Sequence, residues 1–162
     1  MKIDTFFKRI EVTMAKILVV IFGLLVLDVL WQVFSRYVLK ASFSFTEEFA
    51  RFSLIWLSIL GAAYLNAKRE HLSMDFLYRK WSKETQRKAS IAIEVLVFLF
   101  AAVVMVVGGF NLVYITLHLN QLSGTLRIPL GYIYMILPIS GLIIMMFSVY
   151  HISGLLNHKI RD

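Results

Sequence analysis

Asp28, Gln32 and Arg36 stand four residues apart inside an otherwise apolar stretch, with Ser35 beside them. At 3.6 residues per turn they share one helical face. A carboxylate so placed can bind a proton or a cation, or it can hydrogen-bond along its stripe and dock the helix on a protein neighbour; the spacing leaves both open. A second group lies in the run SFTEEFAR, Ser44 to Arg51. Ser44 and Glu47 match an S-x-x-E capping box, and Glu47 and Glu48 fall in a first helical turn, where the helix dipole favours carboxylates. Arg51 follows Glu47 by four and Glu48 by three, so it can pair with either. These three charges can start a helix, or present a charged rim to another protein. His71 and Asp75 are also four apart, but two ligands do not make a metal site. His118, His151 and His158 are too scattered for a facing pair of haem ligands. Glu94, near the start of an apolar run, reads as an interfacial charge.

The elements that must position these residues are membrane spans. The chain of 162 residues is 59% hydrophobic and 17% charged, with a mean hydropathy of +0.76; a soluble domain is about half apolar and a quarter charged. Four apolar stretches are long enough to cross a bilayer, at roughly 15–38, 49–67, 89–117 and 130–156, and lipid leaves only helices or closed barrels able to satisfy their own backbone. The fold class is an all-α integral membrane protein, with residues 1–162 as a single membrane domain. Ile3, Phe6, Phe7, Ile10 and Met14 recur at helical spacing and predict an interfacial helix over about 2–14. Met74, Leu77, Tyr78 and Trp81 predict another amphipathic segment inside a loop at about 68–88, where Ser82 is a candidate N-cap. Pro129 suits a first helical turn, and Pro138 lies inside the last span, where it removes the bond to the carbonyl of Tyr134 and bends the helix.

The net charge of +7 is distributed by topology. Of the 17 lysines and arginines, only Arg36, Lys40, Arg51 and Arg127 fall on one side of the four spans. The positive-inside rule therefore puts both termini and the 68–88 loop in the cytoplasm. That accounts for the basic excess without nucleic acid as a partner, while the basic residues of the loop can reach lipid phosphates. The first span is too long for a signal peptide and has no A-x-A-like site after it, so it is read as retained. The absence of cysteine excludes disulfides and thiolate chemistry. No G-x-x-x-x-G-K-[ST] or G-x-G-x-x-G stretch occurs, and no Ser/His/Asp arrangement suggests itself. No enzymatic activity and no cofactor are expected.

With these features in order, the chain resembles the small membrane subunit of tripartite ATP-independent periplasmic (TRAP) transporters over nearly its full length. The resemblance rests on Arg36 at the end of the first span, the run at 45–51 with Glu47, Glu48 and Arg51, and Trp56 with Gly61. It continues through Lys68, Arg69, His71 and Asp75 to the Ile128-Pro129 and Leu137-Pro138 pairs. It implies a subunit of the bacterial inner membrane that scaffolds a separate, larger, multi-spanning elevator subunit. A periplasmic substrate-binding protein then delivers an organic acid, such as sialic acid or a C4-dicarboxylate. The coupling ion, usually sodium, and the substrate are expected in the large subunit. Asp28, Gln32, Arg36, Glu47, Glu48 and Arg51 become candidate contacts to these partners, and His71, Asp75 and Trp81 a cytoplasmic interfacial motif. The competing reading is an autonomous small exporter in which Asp28 alternately binds protons and a cation.

Overall fold

The computed structural model describes residues 2–41, 43–68 and 83–157. They form α1 (Lys2–Tyr37), α2 (Ser44–Ala67), α3 (Lys83–Phe100), a π-helical segment (Ala101–Gly108), α4 (Gly109–His118), α5 (Leu130–Tyr134) and α6 (Ile136–Asn157). The segments from α3 to α4 run on as one long helix, so four helices are long and apolar enough to cross a membrane: Asp4–Tyr37, Ser44–Ala67, Glu84–His118 and Leu130–Leu156. Their C-terminal limits and the start of the fourth lie within a residue of the expected ones, whereas the first three helices all begin earlier, at Asp4, Ser44 and Glu84. The 35 residues of the third correspond to ~50 Å of helix, against a hydrocarbon core of ~30 Å. The sequence reason for each span is the same. Long runs of apolar residues leave the backbone no partner in lipid except its own carbonyls one turn away.

The fourth span is the most enclosed of the four. Phe147 on α6 packs with Met14 of α1 and with Leu60 and Ala67 of α2, while Ile144 packs with Ala63 of α2 and with Ala101 and Met105 of the π-helical segment. Small residues let these backbones approach closely. A Cβ on Gly141 would stand 2.8 Å from Met105 Cβ and 3.3 Å from the Ala101 carbonyl oxygen, and one on Gly109 would stand 2.9 Å from Pro138 Cδ. The stretch of the third helix that faces Gly141 is the π-helical segment Ala101–Gly108. The fourth span, which contains Pro138, is interrupted at Met135, between α5 and α6.

Of the apolar residues expected to line segment 2–14, Phe7, Ile10 and Met14 join the core cluster that contains Phe147 of α6, whereas Phe6 is exposed. Phe7 stacks on Tyr150 at 4.1 Å and meets Phe147 edge-on at 5.1 Å, and the Tyr150 hydroxyl donates to Asp4 at 2.8 Å. No break separates this stretch from the first span, because the helix continues from Lys2 to Tyr37. The expected amphipathic segment in the 68–88 loop, with His71, Asp75, Trp81 and Ser82, lies outside the described residues.

The α4–α5 connection is a narrow hairpin. Asn120 turns the chain with φ 48°. The Ser123 N–H then donates to Ile128 O at 2.9 Å and the Leu130 N–H to Gln121 O at 2.9 Å, with an antiparallel bridge between Leu122 and Pro129. Its tip, residues 124–127, reaches the start of α2.

Candidate functional site

Glu48 holds that tip. Its Oε1 accepts the Gly124 N–H at 2.8 Å, and its Oε2 accepts the Thr125 N–H at 3.0 Å and the Leu126 N–H at 2.8 Å. Three successive amides converging on one carboxylate form an anion nest, with charge-assisted bonds that are roughly twice as strong as neutral ones. Glu48 thus joins the second span to the connection between the third and fourth.

This arrangement corrects two expectations. The Ser44–Glu47 capping box does not form, because α2 starts one residue earlier than a serine cap requires. Phe43 is the N-cap and offers no side-chain oxygen, while Ser44 is already the first helical residue. Nor does Arg51 pair with the glutamates. Arg36, from the end of α1, contacts Glu47 instead, Nη2 to Oε1 at 3.4 Å. Arg51 is exposed and, among the described residues, makes no ion pair with either carboxylate. An exposed i, i+4 pair contributes only ~0.3 to 0.5 kcal/mol, less than the three charge-assisted amide bonds that Glu48 accepts.

The stripe on α1 is wired along its own helix and against α2. Gln32 Nε2 donates to Asp28 Oδ2 at 2.6 Å, and the buried Ser35 hydroxyl donates to the Gln32 carbonyl at 3.1 Å. Gln32, Ser35 and Arg36 line a small pocket with Phe43, Thr46 and Glu47 of the next connection and helix. Gln32, Arg36 and Glu47 therefore meet at the α1–α2 turn, Asp28 lies one turn further along α1 bonded to Gln32, Glu48 is bonded to the hairpin tip, and Arg51 is exposed. Trp56 continues the theme across α2 and α5: its indole N–H donates to Ile133 O at 3.0 Å, beside the interruption at Met135. In lipid, such side-chain bonds restore partners to backbone that a proline disturbs.

A further polar pair has no counterpart in the sequence expectations. Glu94 of α3 and His151 of α6 are both buried, and Oε1 lies 2.9 Å from Nδ1. Glu94 is therefore not an interfacial charge. It lies on the helical face that continues through Ala101 and Met105 onto α6, and that face is turned inward. Glu94 Oε2, Asn66 Nδ2, Ser140 Oγ and Ser148 Oγ are buried and have no hydrogen-bond partner among the described residues. One signal in the sequence points here: Ser140, Ser148 and His151 place three polar side chains on one face of the fourth span. Among the described residues, no three potential metal-ligating His, Cys, Asp or Glu side chains come together.

Two predictions follow from these geometries. Replacing Glu48 with alanine should accelerate amide exchange at Gly124, Thr125 and Leu126 by at least tenfold, whereas Glu47→Ala should leave those amides within about twofold of wild type. Equal effects of the two variants would remove the nest from its structural role. For the buried pair, removing one partner strands the other, at a cost of about 3 to 5 kcal/mol, whereas replacing both by apolar residues is often neutral. His151→Leu and Glu94→Leu should therefore each lower the unfolding temperature in detergent more than the double variant does. Additive losses would contradict a direct coupling.

Compared with protein families, residues 25–158 match the DctQ component of the tripartite ATP-independent periplasmic transporters. A comparison with curated proteins finds no match. The matched region begins just before Asp28 and runs through the Glu48 nest, Trp56 and the Glu94–His151 pair to the end of α6. The chain, an all-helical membrane protein with four helices able to span the bilayer, belongs to the DctQ family of TRAP transporter components.

Proposed function

We propose that the chain scaffolds a separate large elevator-type subunit in sodium-driven, binding-protein-dependent uptake of an organic acid of the sialic acid or C4-dicarboxylate class. The substrate path and the coupling ion belong to that large subunit. The complex sits in a bacterial inner membrane with both termini of this chain cytoplasmic, as the distribution of basic residues argues. The observation that carries the reading is the contrast between the wired polar groups and the bare apolar faces. Asp28, Glu47, Glu48 and Glu94 each have a bonded partner within the chain. Large apolar side chains such as Val19 and Leu27 on α1, and Val103 and Val107 on the third helix, remain more than 60% exposed. Such wide apolar surface calls for lipid or a protein partner. The exporter reading needs Asp28 available for exchange, and the 2.6 Å bond to Gln32 favours a packing role instead.

At the Glu48 end, the two glutamates are engaged while Lys40, Arg51 and Arg127 are exposed, and no carboxylate among the described residues pairs with them. This cationic rim is offered to the large subunit or the docked binding protein. Breaking a charge pair at a desolvated contact can cost about 2 to 5 kcal/mol. The double variant Arg51→Ala, Arg127→Ala should therefore insert normally but lose most co-purification with the large subunit, or most binding-protein-dependent uptake. Wild-type assembly and uptake at every salt concentration would leave the rim without a partner. The orientation is checked with cysteines added to the cysteine-free chain. An impermeant maleimide should label Lys40→Cys in intact cells, and Glu84→Cys only after the inner membrane is opened; the reverse pattern would put the rim in the cytoplasm.

A further inference from the structure

Lys8, Arg9 and Lys16 line a groove along the N-terminal part of α1, together with Thr13 and Val12. All three cations are exposed, and no carboxylate among the described residues pairs with them. Asp4, at the end of the groove, accepts the Tyr150 hydroxyl at 2.8 Å. At 100° per residue, Arg9, Thr13 and Lys16 share a face with Val20, Gly23 and Leu27. That face lies opposite the side on which Met14 and Leu25 are buried against the protein.

The outward face of α1 thus changes character once along its length, from cationic and hydroxylic to apolar. From Lys16 to Leu27 the helix rises ~16 Å, about half of a ~30 Å hydrocarbon core and so the depth of one leaflet. Within the apolar part, a Cβ built on Gly23 meets nothing within 4 Å, which leaves an open notch between the exposed Val20 and Leu27. A phosphate at the mouth of this face, with an acyl chain lying along it, matches the surface in charge, length and relief.

We infer that the N-terminal half of α1 is a binding site for one anionic phospholipid, its headgroup phosphate held by Lys8, Arg9 and Lys16 and its acyl chain lying over Gly23. A basic juxtamembrane cluster gains attraction from anionic headgroups that a zwitterionic lipid does not provide, and the attraction falls with salt.

The test uses the full-length chain, purified and delipidated in nonionic detergent, with lipid adducts counted by native mass spectrometry. Phosphatidylglycerol should bind at least tenfold tighter than phosphatidylcholine of the same acyl chains, and the preference should shrink as salt is raised. The triple variant Lys8→Gln, Arg9→Gln, Lys16→Gln should bring phosphatidylglycerol to within about twofold of phosphatidylcholine. Lys88→Gln, which removes a cation from an exposed pair with Glu84 on the third helix, should keep the full preference. Equal binding of the two lipids, or an unchanged preference in the triple variant, would overturn the site. So would displacement of the lipid by millimolar inorganic phosphate, which would assign the groove to a free anion. Displacement by the large subunit would overturn it as well, by making this face a protein contact.

Discussion

Inside a bilayer no water is available to complete a hydrogen bond, so each polar group must find its partner within protein or reach the interface. This constraint organises the molecule. Asp28 is tied to Gln32, Glu94 to His151 and the Trp56 indole to the Ile133 carbonyl. At one end, Glu48 gathers the amides of the hairpin tip and Arg36 meets Glu47. Apart from the Asp28 bond, each of these contacts joins parts of the chain that apolar packing alone would leave free to slide. Dispersion and small residues bring the helices close, as at Gly141 against Ala101 and Met105, while the polar contacts set which turn faces which.

The four spans were legible because length and hydropathy are properties of single segments, and lipid permits few alternatives for a long apolar run. The partners of the charged residues were not. Local spacing sees only neighbours on the same helix, so it offered Arg51 to Glu47 and Glu48. The observed partners come from 11 residues away for Glu47 and from 76 to 78 residues away for Glu48. Those pairings exist only once the α4–α5 hairpin folds back onto α2. Glu94 was misplaced for a related reason. A carboxylate near the start of a span can snorkel to the interface or turn inward, and only the helix that packs against it decides. For Asp28 the same-helix logic worked, since its partner Gln32 is one turn away.

The fold of this DctQ family member engages the carboxylates Asp28, Glu47, Glu48 and Glu94 within the chain and leaves cations exposed at both ends of α1. Its helices are longer than a bilayer requires, its core is built around the fourth span, and its outer faces are apolar. The interrupted fourth span has the Trp56 indole bonded to its Ile133 carbonyl, and the π-helical stretch packs closely against Gly141.

The most direct measurement is uptake of a radiolabelled organic acid into proteoliposomes under an inward sodium gradient, with this chain reconstituted alone and then with the large subunit and its binding protein. A scaffold gives no uptake alone, and uptake appears only when both partners are present. Uptake by the chain on its own, abolished by Asp28→Asn, would contradict the scaffold role and restore the exporter.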